Sequence, residues 1–228
     1  MKPMNIELNP EQTLEHSRYN MVVQQIRTWY VLDDEVLDLL YKVRRESFVP
    51  TAYRHAAFVD MEIPLEQGQV MLAPKMEARI LQELRIKKTD KILEIGTGSG
   101  YMAALLAQLG DHVYSVEILP ELKNKAEINL KANDITNVTL ELGDAAQGWP
   151  EHEPYDVIVI TASTPILPDS FKNSLNTGGR LFAIVGEDPV MDAELITCEA
   201  PGKFTVKKLF ETSTPALINA VQASRFTF

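Results

Sequence analysis

Three glycines and a set of acids stand where they can do chemistry together. Glu94 lies two residues before Gly96, and the run continues Gly96-Thr97-Gly98-Ser99-Gly100, an E-x-G-x-G-x-G spacing. Glycines let a ligand approach the backbone closely, and the NH groups opening the next helix favour an anionic group such as a carboxylate. Glu117 closes the following apolar run, where its carboxylate is placed to accept hydrogen bonds from two ribose hydroxyls. Asp144, after Gly143, is a further acid at a strand end; an aspartate that only shapes the turn is the other reading. A dinucleotide fingerprint would need its third glycine where Tyr101 stands. No Lys-Ser or Lys-Thr pair follows, which excludes a P-loop as well.

The elements that must position these residues are legible from periodicity. Ile92 to Ile95 reads as a strand buried on both faces, and Met102, Leu105, Leu106 and Leu109 mark a helix that Gly110 ends. His112 to Val116 is a second strand, and Pro120 to Ala132 a second helix. Val138 to Leu142 is a third strand. Tyr155 to Ile160 is a fourth, followed by the polar stretch Thr161-Ala162-Ser163-Thr164 at its carboxyl end. A short helix over Pro168 to Leu175 and a turn at Asn176 to Gly179 lead into a strand from Arg180 to Val185. Ala193 to Cys198 and Phe204 to Phe210, joined by Pro201-Gly202, read as a hairpin. This order predicts an α/β fold: a doubly wound, Rossmann-like sheet, mainly parallel, with an antiparallel C-terminal hairpin. Ligands of such sheets bind outside the carboxyl ends of the strands, where Gly96 to Gly100, Glu117, Asp144 and Thr161 to Thr164 all fall.

Upstream, Asn9-Pro10-Glu11-Gln12 is a helix start, and Leu14, Met21, Val22 and Ile26 roughly keep helical spacing as far as Trp29. Asp33 caps a second helix, and the Lys42, Arg44, Arg45 cluster reads as its solvated face. Gly68 to Pro74 reads as a loop and Lys75 to Leu84 as a helix. Residues 1–85 are thus expected to form a helical subdomain carrying an acceptor loop, and 86–228 the nucleotide-binding domain. Trp29 and Trp149 read as packing residues, Cys198 as a small core residue.

Composition narrows the function classes. The chain has 228 residues, 45% of them hydrophobic, and a net charge of −10, which argues against a broad nucleic-acid interface. No run of 18 apolar residues spans a membrane, and the N-terminus lacks the apolar core of a signal peptide. One cysteine and four histidines without ligand spacing predict neither a disulfide nor a metal site. The expected location is the cytosol.

The E-x-G-x-G-x-G run resembles the first motif of class I S-adenosylmethionine (SAM) methyltransferases. The resemblance implies that Glu94, Gly96, Thr97, Gly98, Ser99 and Gly100 surround the methionine end of SAM, Glu117 the ribose and Asp144 the adenine. Thr161 would close that site. Further matches are Met21-Val22, Gln25-Ile26-Arg27, Phe48-Val49-Pro50, Phe58-Val59-Asp60, Gly68-Gln69, Pro74, Gly148-Trp149-Pro150 and Gly178-Gly179-Arg180-Leu181. With them the chain resembles the protein-L-isoaspartate O-methyltransferases along nearly its whole length. That family methylates the α-carboxylate of L-isoaspartyl residues in damaged proteins, starting repair through a succinimide. The absence of an obvious catalytic base fits, since a carboxylate is already ionised at pH 7.

The resemblance departs at the acceptor loop, Gln69-Val70-Met71-Leu72, where the family carries Thr-Ile-Ser after Gly-Gln. Val70 and Leu72 replace two hydroxyls, and each hydrogen bond lost to a charged group costs about 1.5–3 kcal/mol. The expected acceptor is a peptide or protein carrying isoaspartate, or another small acid; a SAM-binding protein without transfer activity is a further reading. Thr214-Pro215-Ala216-Leu217 falls at the family's closing Phe-Val-Pro-Leu segment. Beyond it, Arg225, Phe226 and Phe228 are candidate docking residues, unless the tail packs on the domain. Oligomeric state is left open.

Overall fold

The computed structural model describes residues 9–222. Arg225, Phe226 and Phe228 lie outside the described residues. Helix α1 (Pro10–Asn20) starts as the sequence predicts: the Asn9 side chain accepts from the Gln12 NH, and the Gln12 side chain accepts in return from the Asn9 NH. The helix then widens to a π-helical stretch, Met21–Ile26, and tightens to a 3₁₀ turn, Arg27–Trp29. Met21, Val22 and Ile26 are buried as expected, but Leu14 is 40% exposed. Trp29 is also exposed, and it carries the Lys75 ammonium 4.1 Å from its ring centroid; it is a surface cation–π partner rather than a packing residue.

Asp33 caps α2 (Asp34–Lys42) through the Glu35 and Val36 amides. Short 3₁₀ turns at Arg45–Ser47 and Thr51–Ala56 lead to β1 (Ile63–Pro64). The stretch read as a loop, Gly68 to Pro74, begins at the end of a 3₁₀ turn, Glu66–Gly68, and contains β2 (Val70–Met71), which pairs antiparallel with β1. Helix α3 (Pro74–Leu84) follows with Pro74 at its first position.

The sheet alternates with helices from here: β3 (Lys91–Ile95), α4 (Tyr101–Leu109), β4 (His112–Glu117), α5 (Pro120–Ala132), β5 (Val138–Leu142), β6 (Tyr155–Thr164), α6 (Asp169–Asn173), β7 (Leu175–Glu187), β8 (Val190–Ala200) and β9 (Lys203–Thr212). Seven strands align in the order β5-β4-β3-β6-β7-β8-β9, parallel through β7 and antiparallel beyond. The expected mixed sheet is therefore present, with each C-terminal strand longer than the apolar runs alone indicate. Strand residues alternate between two cores. Ile92, Val157, Val159 and Phe182 pack with the N-terminal helices and α4, while Leu93, Ile158, Ile160 and Leu181 pack with Phe171 and Leu175.

Two corrections concern polar residues. Contrary to expectation, Thr161 to Thr164 does not follow the strand but forms the last four residues of β6. Main-chain bonds to Pro215 and Leu217, made by Ser163, hold it extended there. Arg45 is not on a solvated face. It is 1% exposed, donates to the Ala57 and Leu72 carbonyls, and pairs with Glu77 of α3. Lys42 and Arg44 are exposed as expected.

Candidate functional site

Strand β3 has β4 on one side and β6 on the other, so the connections diverge at its carboxyl end and leave a crevice. A cavity of about 650 Å³, open to solvent, lies there. The sheet reaches it at Ile95, Val116 and Thr161, and the glycine turn at Gly96 and Gly98. Gly96 has φ 93°, and a Cβ on it would sit 2.6 Å from the Thr161 hydroxyl, so a side chain is excluded by both backbone and space. That hydroxyl donates to the Ile95 and Gly96 carbonyls at 2.9 and 2.7 Å, pinning the turn to β6.

Glu117, nearly fully buried at the end of β4, accepts from the Gly98 amide at 2.9 Å through Oε2 and from the Leu119 amide at 3.0 Å through Oε1. The strand-end acid and the middle glycine, distant in sequence, are thereby one structural unit. Asp144 accepts from the Ala146 amide at 3.0 Å and from the Asn219 side chain at 2.8 Å. Both carboxylates line the cavity, and so do Gln69 and Val70 of the acceptor loop.

The remaining sequence-predicted residues take other places. Thr97 and Ser99 face a smaller neighbouring cavity of about 290 Å³, which Val70 and Leu72 also line. Gly100 has φ 83° and lies against α5, where a Cβ would come 3.1 Å from that of Ala126; its place in this structure is explained by helix packing. Glu94 is fully buried beneath the turn. Ser115 donates to its Oε2 and is itself 2.6 Å from the Thr97 hydroxyl, whereas Oε1 has no hydrogen-bond partner among the described residues. Burial, opposed by the Ser115 bond and reinforced by the charge of Glu117, pushes the Glu94 carboxyl up to about 8.

Sequence reasoning missed much of the wall. Ile118 and Leu122 supply an apolar side, and Thr214, Pro215, Leu217 and Ile218 form a roof. The roof is anchored to β6: Ser163 donates its NH to Pro215 and its hydroxyl to Thr214, and accepts from the Leu217 amide. Pro215 and Leu217 were visible as the closing segment of the resemblance, but no sequence signal pointed to Asn219. Trp149, by contrast, packs on Gly143 as expected, where a Cβ would clash with its ring at 2.5 Å.

No lysine, arginine or histidine lines this cavity among the described residues. A phosphorylated dinucleotide would meet two carboxylates with no counter-cation. A nucleoside that carries positive charge of its own suits them. Nor does any group of three or more His, Cys, Asp or Glu among the described residues have metal-binding geometry. No described helix is long and apolar enough to cross a membrane.

Comparison with known proteins agrees with this geometry. The family model for protein-L-isoaspartate(D-aspartate) O-methyltransferase matches residues 16–219. A protein-L-isoaspartate O-methyltransferase of Ignicoccus hospitalis is 36% identical over 208 residues, covering 90% of this chain and 99% of that one. One from Methanoculleus marisnigri is 41% identical over 175 residues, covering 77% and 80%. Among solved structures, a protein-L-isoaspartate O-methyltransferase superposes with TM-score 0.75 at 24% identity, over 90% of this chain and 66% of that one. A Plasmodium falciparum structure of the same description, in complex with S-adenosyl-L-homocysteine, gives TM-score 0.74 at 22% identity, over 93% and 99%. With a family match spanning residues 16–219 and close relatives aligned over most of their length, this chain belongs to the protein-L-isoaspartate(D-aspartate) O-methyltransferase family.

Proposed function

We propose that this protein transfers the methyl group of SAM to isoaspartyl carboxylates in polypeptides, acting in the cytoplasm on damaged chains. The observation that carries the reading is that the acceptor loop, through Gln69 and Val70, and the two cofactor-side acids, Glu117 and Asp144, line one cavity. In this reading residues up to 85 supply the acceptor side and those from 86 onward the cofactor side.

The residues fit SAM. Glu117 would accept from the ribose hydroxyls and Asp144 from the adenine amino group, each oxygen retaining a lone pair beyond the backbone bonds described above. Gly96 and Gly98 line the cavity, so the cofactor would lie against the backbone of the turn. Glu94, buried beneath the turn, would support the methionine end of the cofactor through the Ser115–Thr97 hydroxyls rather than from the cavity wall. Bound SAM supplies an activated methyl group on a sulfonium. The chain's own part is to hold donor and acceptor in line and to exclude water, and orientation of this kind contributes up to about 7–11 kcal/mol. The acceptor carboxylate is ionised at neutral pH, so no side chain has to remove a proton.

With Val70 and Leu72 in place of hydroxyl residues, backbone NH groups of the acceptor loop are left to recognise the carboxylate. The same substitution supports a second reading, in which the acceptor is another small or peptidic acid. Methyl transfer from radiolabelled SAM to an isoaspartyl peptide, with the matching aspartyl peptide as control, separates the two. Selective transfer to the isoaspartyl peptide is expected. SAM binding with no such transfer would overturn the first reading in favour of the second.

A further inference from the structure

A loop without recognition hydroxyls must present its backbone accurately, so what fixes that backbone bears directly on the acceptor. The β1–β2 ladder holds the loop at Val70 and Met71, and Gln69 accepts from the Leu65 amide at 2.8 Å. Leu72, the next residue, is outside the ladder, and its carbonyl accepts from Arg45 Nη2 at 2.7 Å. The same guanidinium donates through Nε to the Ala57 carbonyl at 2.9 Å and pairs through Nη1 with Glu77, one turn into α3. On its flat face, the guanidinium carbon lies 5.2 Å from the ring centroid of Tyr101, the first residue of α4 after the glycine turn. Both charged side chains are almost fully buried.

One planar group thus ties the acceptor loop, the start of α3 and the helix that follows the glycine turn. The small cavity between the two loops has Val70, Leu72 and Glu77 on one wall and Gly98, Ser99 and Met102 on the other. A guanidinium suits this task because its donors are fixed in one fork; an ammonium on a flexible stem cannot reach the same three acceptors in the same geometry. Displacement of reacting groups by about 1 Å costs on the order of 100-fold in rate.

We propose that Arg45, paired with Glu77, is the positioning residue of the acceptor loop, setting the distance between its backbone and the glycine turn. This rests on the proposed function above. The test uses the full chain with Arg45→Lys, Glu77→Gln and the double variant Arg45→Met/Glu77→Met, which leaves no lone buried charge should the single lysine variant fail to fold. Three readouts are taken: kcat and KM with an isoaspartyl peptide, the Kd for S-adenosyl-L-homocysteine by calorimetry, and hydrogen exchange over residues 69–73. Arg45→Lys and the double variant are expected to raise the peptide KM at least tenfold and to speed exchange in the loop, with the nucleoside Kd within twofold. Glu77→Gln, which keeps an acceptor for the guanidinium, should show a smaller change in the same direction. A peptide KM within twofold of the parent, or a parallel rise in both constants as expected of a merely structural pair, would overturn the inference. Should the parent chain itself methylate no isoaspartyl peptide, the proposed function fails, and loop exchange decides this inference alone: unchanged exchange refutes it.

Discussion

Removing the carboxylate of Glu117 tests the cofactor site at its best-defined point. Glu117→Ala deletes the acceptor of two backbone amides, Gly98 at 2.9 Å and Leu119 at 3.0 Å, and with it the two hydrogen bonds expected from the ribose hydroxyls. Bonds to a charged acceptor contribute about 1.5–3 kcal/mol each, so loss of both ribose bonds should weaken SAM binding by about 3–6 kcal/mol, roughly 10²- to 10⁴-fold. The Gly98 amide borders the open cavity, where water can take the place of the carboxylate, which limits the cost to the fold there to about 1–2 kcal/mol. Glu117→Gln keeps one accepting oxygen but turns an NH₂ group toward an amide donor, and should fall between parent and alanine. Calorimetric titration with SAM and with S-adenosyl-L-homocysteine, beside thermal melts of each variant, reads both quantities. An alanine variant that binds either nucleoside within threefold of the parent while melting normally would refute the assignment of Glu117 to the ribose.

Three other outcomes follow from the same geometry. The Glu94 carboxyl is raised to about 8, chiefly by burial, so it binds a proton more tightly folded than unfolded. Its contribution is fully present below about pH 4.5 and is lost as pH rises through 8, at up to about 1.4 kcal/mol per pH unit. Glu94→Gln should flatten the fall in melting temperature from pH 5 to 8; a parent protein that gains stability over that range would contradict the environment described for it. Gly96→Ala must adopt a positive φ and displace the Thr161 hydroxyl from 2.6 Å, and should cost about 1–3 kcal/mol with a matching loss of SAM affinity; an unchanged melt would show the turn to be adaptable. Val70→Thr with Leu72→Ser returns the two hydroxyls and should raise kcat/KM for an isoaspartyl peptide tenfold or more, whereas no gain would locate the difference from other family members elsewhere in the pocket.

What the sequence disclosed and what it hid follow from where each constraint acts. The glycine turn was legible because a positive φ at Gly96, Gly98 and Gly100 restricts the residue type at that position itself. Glu117 and Asp144 were legible because they end apolar runs, and strand ends of such sheets face the ligand. Arg45 was misread because its neutralising partner, Glu77, comes from another helix, and local charge patterning cannot report a pairing across the fold. The last residues of β6 were read as lying beyond the strand because Thr161, Ser163 and Thr164 are polar; in the folded chain their hydroxyls are spent on the carbonyls of residues 95, 96, 214 and 166. Leu14 keeps helical spacing with Met21 but stays exposed, because α1 has few other apolar residues to define a buried face. Asn219 gave no signal at all, since its value lies in meeting Asp144 across the cavity mouth.

The meeting of Asn219 with Asp144 has a consequence for the order in which the protein is made. The two residues are 75 positions apart, and everything from β6 to β9 is synthesised between them. A nascent polypeptide acquires the glycine turn and both strand-end acids well before the segment that covers them. Ligand stabilisation accrues only to a form that binds, so the share of SAM affinity that depends on the roof reaches only chains elongated past Asn219. A ribosome-bound intermediate stalled within β7 would carry an uncovered cleft.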